Sequence, residues 1–569
     1  MTKHLLLFSL LLFLAPLLTA QNCTGAVATD FLHANSVYAW INSGGALFNK
    51  QHFIPNPQPG GAGPSTLYVA SLWMGGKAPD GQLKLMAGTY GDRGSFAGPL
   101  NDAGFTDSLS CLNWDRVFKM NGADIPAFLK NLAAFNADPN QAIQLFPEIM
   151  GWPAQGNPFF AQIQGFDLPS GRPFAPFFDE DGDGLYNPLK GDYPQVELEN
   201  NVRFVPAAWT WSVYNGFGAP TVSTATRYNF QTEIHLTAWA FHCDNQPVLE
   251  NTVFTAHRIF FRGTALIDSC YVGMWADFDI GCPLNIDDQI GCLPDLHTFF
   301  AYEEENNDPG NGMNCPDGSL SFGQYPPAQS VTFLGKELDK FMYYNNPSLN
   351  GPAAYSTDPD IPNEYYNYLK GFWKDGLPLS TGNTGYNPGS NTPANHAFPG
   401  NPLDPTAWTM CTAPVPSYDR RALGSHYLGQ VEPGRQEEFV IAWTYHPDLA
   451  LPCNLGTTFG EIATLHVAYD NHFGSVCSPL TNTPEPNLEE DDVEMYPNPA
   501  GRELTLRYGD RVLHEIRLLA PDGRLVRRVT NPQSQQTVLS VNDLAPGVYL
   551  VQCIAGRQSL TRKVVLHRE

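Results

Sequence analysis

Asp179, Asp181 and Asp183 stand at alternate positions ahead of Gly184, in the run Asp179-Glu180-Asp181-Gly182-Asp183-Gly184-Leu185-Tyr186-Asn187. Carboxylates at the first, third and fifth places, glycine at the sixth, a backbone carbonyl at the seventh (Leu185) and an amide at the ninth (Asn187) match the start of an EF-hand-type calcium loop. Calcium takes about six to eight hard oxygens, and Gly184 permits the sharp turn that aims them at one point. The twelfth place departs from the pattern, because Lys190 replaces the bidentate glutamate. Asp192, two residues on, is the carboxylate available to close the shell instead, and Pro188 argues against a helix directly after the loop. The expected metal set is Asp179, Asp181, Asp183, Leu185, Asn187 and Asp192, holding calcium in a structural role.

A second acidic group combines Asp277 and Asp279 with Asp287 and Asp288, across a loop bounded by Cys282 and Cys292. Its spacing fits no rigid ligand template, so solvated carboxylates, a cation site and a catalytic pair all stay open. Trp239 and Trp275, on strand faces that also carry polar groups, are the better candidates among the tryptophans for stacking on a sugar ring. Signatures of catalysis are missing: there is no G-x-S-x-G elbow, no H-E-x-x-H, no phosphate-binding loop and no G-x-G-x-x-G. A carboxylate-based glycosidase needs no local motif, since its two acids can lie far apart in the chain.

The elements that must position these groups read mainly as strands. Leu67 to Met74, Ile234 to Phe241, Cys270 to Ile280 and Glu438 to Tyr445 are apolar or alternating segments, the second and third showing distinct faces. Helical spacing marks Ile125 to Ala137 and Phe459 to Phe473. Residues 300–420, rich in Asn, Gly, Pro and Tyr, read as long loops. The expected fold is mainly β and multidomain: a β-sandwich-type body with long loops, then a small Ig-like β-sandwich at the C-terminus. The regions are 1–20, 21–195 (loop-rich, ending in the calcium-type loop), 196–480 (β-rich), 481–492 (linker) and 493–569.

The two ends concern address. Lys3 and His4 precede the apolar run Leu5 to Leu18, with a small residue, Ala20, at the cut, as in a secretory signal peptide. The run is too short for a comfortable span, and no later segment has enough consecutive apolar residues to cross a membrane. At the other end, Tyr496-Pro497-Asn498-Pro499, Gly523-Arg524-Leu525-Val526, Leu544-Ala545-Pro546-Gly547-Val548-Tyr549 and Lys563-Val564-Val565 punctuate a set of short strands. Those motifs resemble the C-terminal sorting domain of the type IX (Por) secretion system of Bacteroidota. The resemblance implies Sec passage, then export across the outer membrane with the type IX machinery as partner, and a secreted or surface location. Patches in the body, among them Leu72-Trp73-Met74-Gly75-Gly76, Gly191-Asp192-Tyr193-Pro194 and Gly273-Met274-Trp275-Ala276-Asp277, resemble an uncharacterised group of secreted proteins with the same tail.

Charge separates the two parts. Residues 21–492 hold 20 basic against 50 acidic groups, whereas 493–569 hold 11 against 7. So acidic a body argues against nucleic acid or an anionic membrane as partner. An oxidising destination makes the body's ten cysteines candidates for disulfides, with Cys282–Cys292 and Cys453–Cys477 as first guesses. The sum is an exported binding or adhesion-type protein stabilised by calcium, with a glycan or matrix component as expected ligand. A secreted polysaccharide hydrolase and a structural matrix component are the alternatives.

Overall fold

The computed structural model describes residues 23 and 25–567, apart from stretches at 59–60, 91–94, 218–228, 244–245, 283–287, 304–305, 309–314, 316–319, 348–350, 448–452, 454, 474–492, 509–512, 514, 521–524, 531, 533–534 and 556–557. The expected signal peptide, the linker at 481–492, Asp287 and Cys477 lie outside the described residues. The chain is mainly β with several sheets, as its patterning predicts.

Two large antiparallel sheets form the body. The first runs in the order Thr29–Leu32, Val37–Asn42, Phe53–Pro55, Leu67–Lys77, Ile267–Phe278, Arg420–Val431, Lys340–Asn345, with Leu83–Met86 paired beside Leu67–Lys77. The second runs Asp288–Leu293, Thr298–Glu303, Ala328–Leu334, Gln436–His446, Thr252–Phe261, Thr232–Ala240, Ala208–Asn215, Phe96–Ala97, with Phe118–Asn121 beside Ala208–Asn215. Strands from both sides of residue 195 share each sheet, so the regions 21–195 and 196–480 are interleaved rather than stacked.

Between the sheets, Val272, Met274 and Ala276 join one core with Leu236, Ile259, Ile441 and Trp443. Both outer faces are covered as well. Trp209, Trp211, Trp239 and Phe254 of the second sheet share a core with Phe128, Phe135, Phe146 and Met150 from short helices and with Leu465 from Gly456–Asp470. Trp73 of the first sheet packs on Trp275 (ring centroids 5.7 Å) and on Tyr365 of helix Pro362–Leu369 (5.1 Å). Covering layers explain why Thr232–Ala240 is buried along its whole length despite its alternating pattern.

Residues 300–420 hold more regular structure than expected: strands Ala328–Leu334 and Lys340–Asn345 and helix Pro362–Leu369. The expected helix over 125–137 forms as two, Asp124–Lys130 and Leu132–Ala137. They break at Asn131, whose side-chain amide donates to the Ala127 carbonyl at 2.8 Å and competes with the backbone ladder.

Disulfides join Cys23–Cys111, Cys282–Cys315 and Cys411–Cys453, and Cys243 is also disulfide-bonded. Neither first guess holds: Cys282 pairs with Cys315 and Cys453 with Cys411, while Cys292 is a free buried thiol. Proximity in sequence misleads here because Cys292 lies in a strand and turns inward.

The C-terminal domain has a three-stranded sheet (Glu494–Tyr496, Glu503–Arg507, Gln536–Ser540) and a four-stranded one (Leu525–Thr530, Glu515–Leu519, Gly547–Ala555, Gln558–Leu566). Their shared core, with Leu504, Ile516, Val551 and Val564, gives the small Ig-like sandwich expected. It docks on the body through Arg528, whose guanidinium reaches Asp124 (2.9 Å), Glu515 (2.7 Å) and Glu148 (3.5 Å). A cleft of about 1570 Å³ runs along this junction, lined by Asp30, Arg116, Lys119 and His242 of the body and by Glu515 and Arg528. No helix among the described residues is long and apolar enough to cross a membrane.

Candidate functional site

The 179–192 loop follows the short strand Phe177–Phe178 and is anchored from both sides. The Tyr186 hydroxyl donates to the Ile149 carbonyl (2.7 Å), and the Asn136 amide to that of Leu189 (3.0 Å). Asp179 accepts the N–H groups of Gly182 and Gly184, each at 2.8 Å, which folds the turn around its carboxylate. Gly182 and Gly184 both take positive φ, the conformation their lack of a Cβ permits.

One oxygen each from Asp179, Asp181 and Asp183 come within 4.8 Å of one another. Asp192 lies outside that group. Buried, it accepts N–H from Glu180 (2.9 Å) and Asn187 (2.7 Å) and so ties the two ends of the loop together. The Asn187 side chain caps the next turn by accepting from Leu189, and the Leu185 side chain is exposed. Lys190, at the place of the missing glutamate, sets its ammonium between Asp181 (2.7 Å) and Asp183 (2.6 Å). That hydrogen bond from Lys190 holds the Asp183 carboxyl below the usual range.

A second group was only half legible. Asp277, Asp279 and Asp419 each bring an oxygen within 4.8 Å of the others. Asp277 ends the Ile267–Phe278 strand and pairs across the sheet with Arg421, whose Nη2 is 3.3 Å from its Oδ2. Burial pushes Asp277 up to about 7 even though Arg421 opposes the shift. Burial, together with Asp277, Asp419 and Asp288, holds Asp279 well above the carboxylate range. Asp288 stands apart and accepts the Ile280 N–H at 3.2 Å. Sequence reading missed Asp419, because only the pairing of strands far apart in the chain brings it here.

The tryptophans do not serve the expected sugar platform. Trp239 and Trp275 are fully buried, as are Trp209, Trp211, Trp373 and Trp443. Trp443 lies between the sheets, and layers over the outer faces enclose Trp209, Trp211, Trp239 and Trp275.

One relay escaped the sequence altogether. Ser330 Oγ lies 2.8 Å from His446 Nε2, and His446 Nδ1 lies 2.5 Å from Glu461 on helix Gly456–Asp470. The order is that of nucleophile, base and orienting acid. Ser330 is fully buried and His446 is 1% exposed, so the relay ties the helix to the sheet rather than meeting a substrate.

No curated protein matches the chain. Among solved structures, a polysaccharide lyase aligns over 59% of this chain and 34% of its own length, at 7% identity and a TM-score of 0.17. The chain thus spans about a third of that lyase. Residues 494–567 match the secretion system C-terminal sorting domain family. This is the sandwich that Arg528 docks against the body, and its family implies interaction with the type IX machinery. The chain is therefore a type IX secretion cargo, addressed by its C-terminal sorting domain to the extracellular space or the cell surface.

Proposed function

We propose that the exported body works outside the cell as a calcium-stabilised binding or adhesion-type protein. The observation that supports this most is the 179–192 loop, where three carboxylates converge while buried Asp192 ties the loop's ends together and Tyr186 fixes it to the helical layer. Calcium there would draw on Asp179, Asp181 and Asp183, with the Leu185 carbonyl, Asn187 and Asp192 as the further oxygens of the expected set. Its role is to lock a connection between the strands and the covering helices, which suits a protein that must persist outside the cell. The ligand class is a glycan or another matrix component.

The test uses the full chain with disulfides intact, incubated with a glycan and matrix panel in calcium and in chelator. Saturable retention in calcium, lost in chelator and without product release, is the expected outcome. Retention unaffected by chelator would remove calcium from the reading.

The second reading, a carboxylate-dependent polysaccharide hydrolase, draws on Asp277. Burial raises the Asp277 carboxyl above the usual carboxylate range, the direction a general acid needs. Asp277 is 2% exposed, so a sugar would reach it only through the more open Asp279 and Asp419. Sugar released in the same assay, and lost in Asp277→Asn, would favour it over the binding protein.

A further inference from the structure

We propose that Asp277, Asp279 and Asp419 form a second divalent-cation site, suited to calcium, at the end of the first sheet. It is separate from the 179–192 loop and does not depend on an ion there.

The site follows from strand register. Asp277 pairs with Arg421 in the antiparallel ladder between Ile267–Phe278 and Arg420–Val431. Continued two residues beyond that pair, the same register sets Asp279 opposite Asp419. Alternate residues of a strand share a face, so three carboxylates and one guanidinium meet on one side of the sheet. Arg421 is committed to this group, with Nη1 2.7 Å from Asp419 and Nη2 3.3 Å from Asp277. Asp358, 3.9 Å from the Arg421 Nε, also has Lys374 close by, since the Lys374 ammonium donates to its carbonyl at 2.7 Å. With all three carboxylates ionised, one guanidinium against Asp277, Asp279 and Asp419 would leave two negative charges, which one divalent ion offsets.

Two further observations point to a ligand rather than an idle cluster. Asp277 is 2% exposed, and its Oδ1 is buried with no hydrogen-bond partner. Asp279 makes no hydrogen bond or ion pair among the described residues. An unsatisfied buried carboxylate oxygen is costly, and a metal ion is one of the few groups that would satisfy it. Calcium–oxygen distances of about 2.3–2.6 Å allow two ligands of one ion to sit up to roughly 5 Å apart. Oxygens gathered within 4.8 Å therefore lie within the span of one calcium coordination shell.

The chain just past Asp279 is pinned. Cys282, three residues past Asp279, is bonded to Cys315, and buried Asp308 accepts the Cys282 N–H at 3.3 Å. Asp279 and Asp419 are only partly buried, which leaves a way in for the ion.

The experiment titrates the chelator-stripped full chain with calcium by calorimetry and with terbium by luminescence excited through tryptophan. Trp275 is close enough to transfer energy, since its ring meets that of Tyr90 at 5.6 Å and the Tyr90 hydroxyl contacts Arg421. Asp279→Asn and Asp419→Asn should each weaken one calcium equivalent by at least about tenfold and dim the terbium signal. Asp181→Ala should leave that equivalent in place. Should Asp279→Asn fail to fold, Asp419→Asn, in a partly exposed segment, carries the same test. Parental stoichiometry and luminescence in the folded Asn variants would overturn the site. Loss confined to Asp181→Ala would overturn this site and leave the loop reading standing, whereas loss confined to the Asn variants would do the reverse.

Discussion

The ammonium of Lys190 lies 2.6 Å from the carboxylate of Asp183, inside the turn where a calcium ion would meet the same oxygens. The lysine is tethered by the loop it neutralises, so ion and ammonium compete for one cluster. Lys190→Ala should tighten calcium binding by about tenfold, because affinity in such loops follows the ligand charge count. Asp181→Ala should lower the melting temperature in calcium and match the parent in excess chelator. Calorimetric titration and thermal melts check both, and an unchanged affinity in Lys190→Ala would show that the ammonium does not compete.

Arg528 should hold the sorting domain to the body. Its side chain and that of Asp124 are each 5% exposed, and Glu515 is 10% exposed. Arg528→Ala removes one of two guanidinium partners from Asp124 and Glu515, since Arg517 also reaches them (3.5 and 2.7 Å). The loss should therefore fall below the roughly 3–5 kcal/mol of breaking a buried pair from one side. Scanning calorimetry should show the sorting domain unfolding in a separate, earlier transition. A single transition at the parental temperature would mean that the junction is not coupled.

His257 should make the body acid-sensitive. It is fully buried in the second sheet beside the Tyr214 hydroxyl (3.3 Å), and burial pushes its imidazole down to about 3. The unfolded chain takes up this proton near pH 6.5 and the folded chain does not. Stability from this group is therefore complete above about pH 6.5 and falls by up to about 1.4 kcal/mol per pH unit on the way down to about 3. Urea unfolding between pH 7 and 4 should show a shallower pH dependence in His257→Gln than in the parent; equal slopes would exclude His257 as a source.

Cysteine chemistry should divide along burial. Cys270, Cys292 and Cys553 are free and buried, and burial pushes each thiol up, away from the reactive thiolate. None should react with a thiol reagent until the chain unfolds. Paired Cys411→Ser and Cys453→Ser removes a bridge across a separation of 42 residues, with an expected loss of about 4 kcal/mol. Mass spectrometry of labelled native protein and denaturant melts read these two outcomes.

What the chain disclosed in advance was local. Alternation marked the 234–241 and 270–280 strands, helical spacing marked the 459–473 helix, and the aspartate spacing at 179–183 marked the tight turn. The strand Ala328–Leu334 escaped because polar residues stand on both of its faces, Gln329 on one and Ser330 and Thr332 on the other, although all are buried. Trp239 and Trp275 were misread for a related reason: a polar neighbour suggested an open face, but helices and loops cover both outer sides. Asp419 and the Cys282–Cys315 bridge depend on pairings between distant segments, which no local pattern encodes.

The interleaving of the two sheets also sets an order of events. Leu67–Lys77 pairs with Ile267–Phe278, which pairs in turn with Arg420–Val431, and Gln436–His446 bridges two halves of the second sheet. The first sheet cannot close without residues up to about 431, nor the second without those up to about 446, and such non-local pairing is slow to nucleate. The body is therefore complete only once nearly all of its length is present, and its last sheet strand ends shortly before the sorting domain begins.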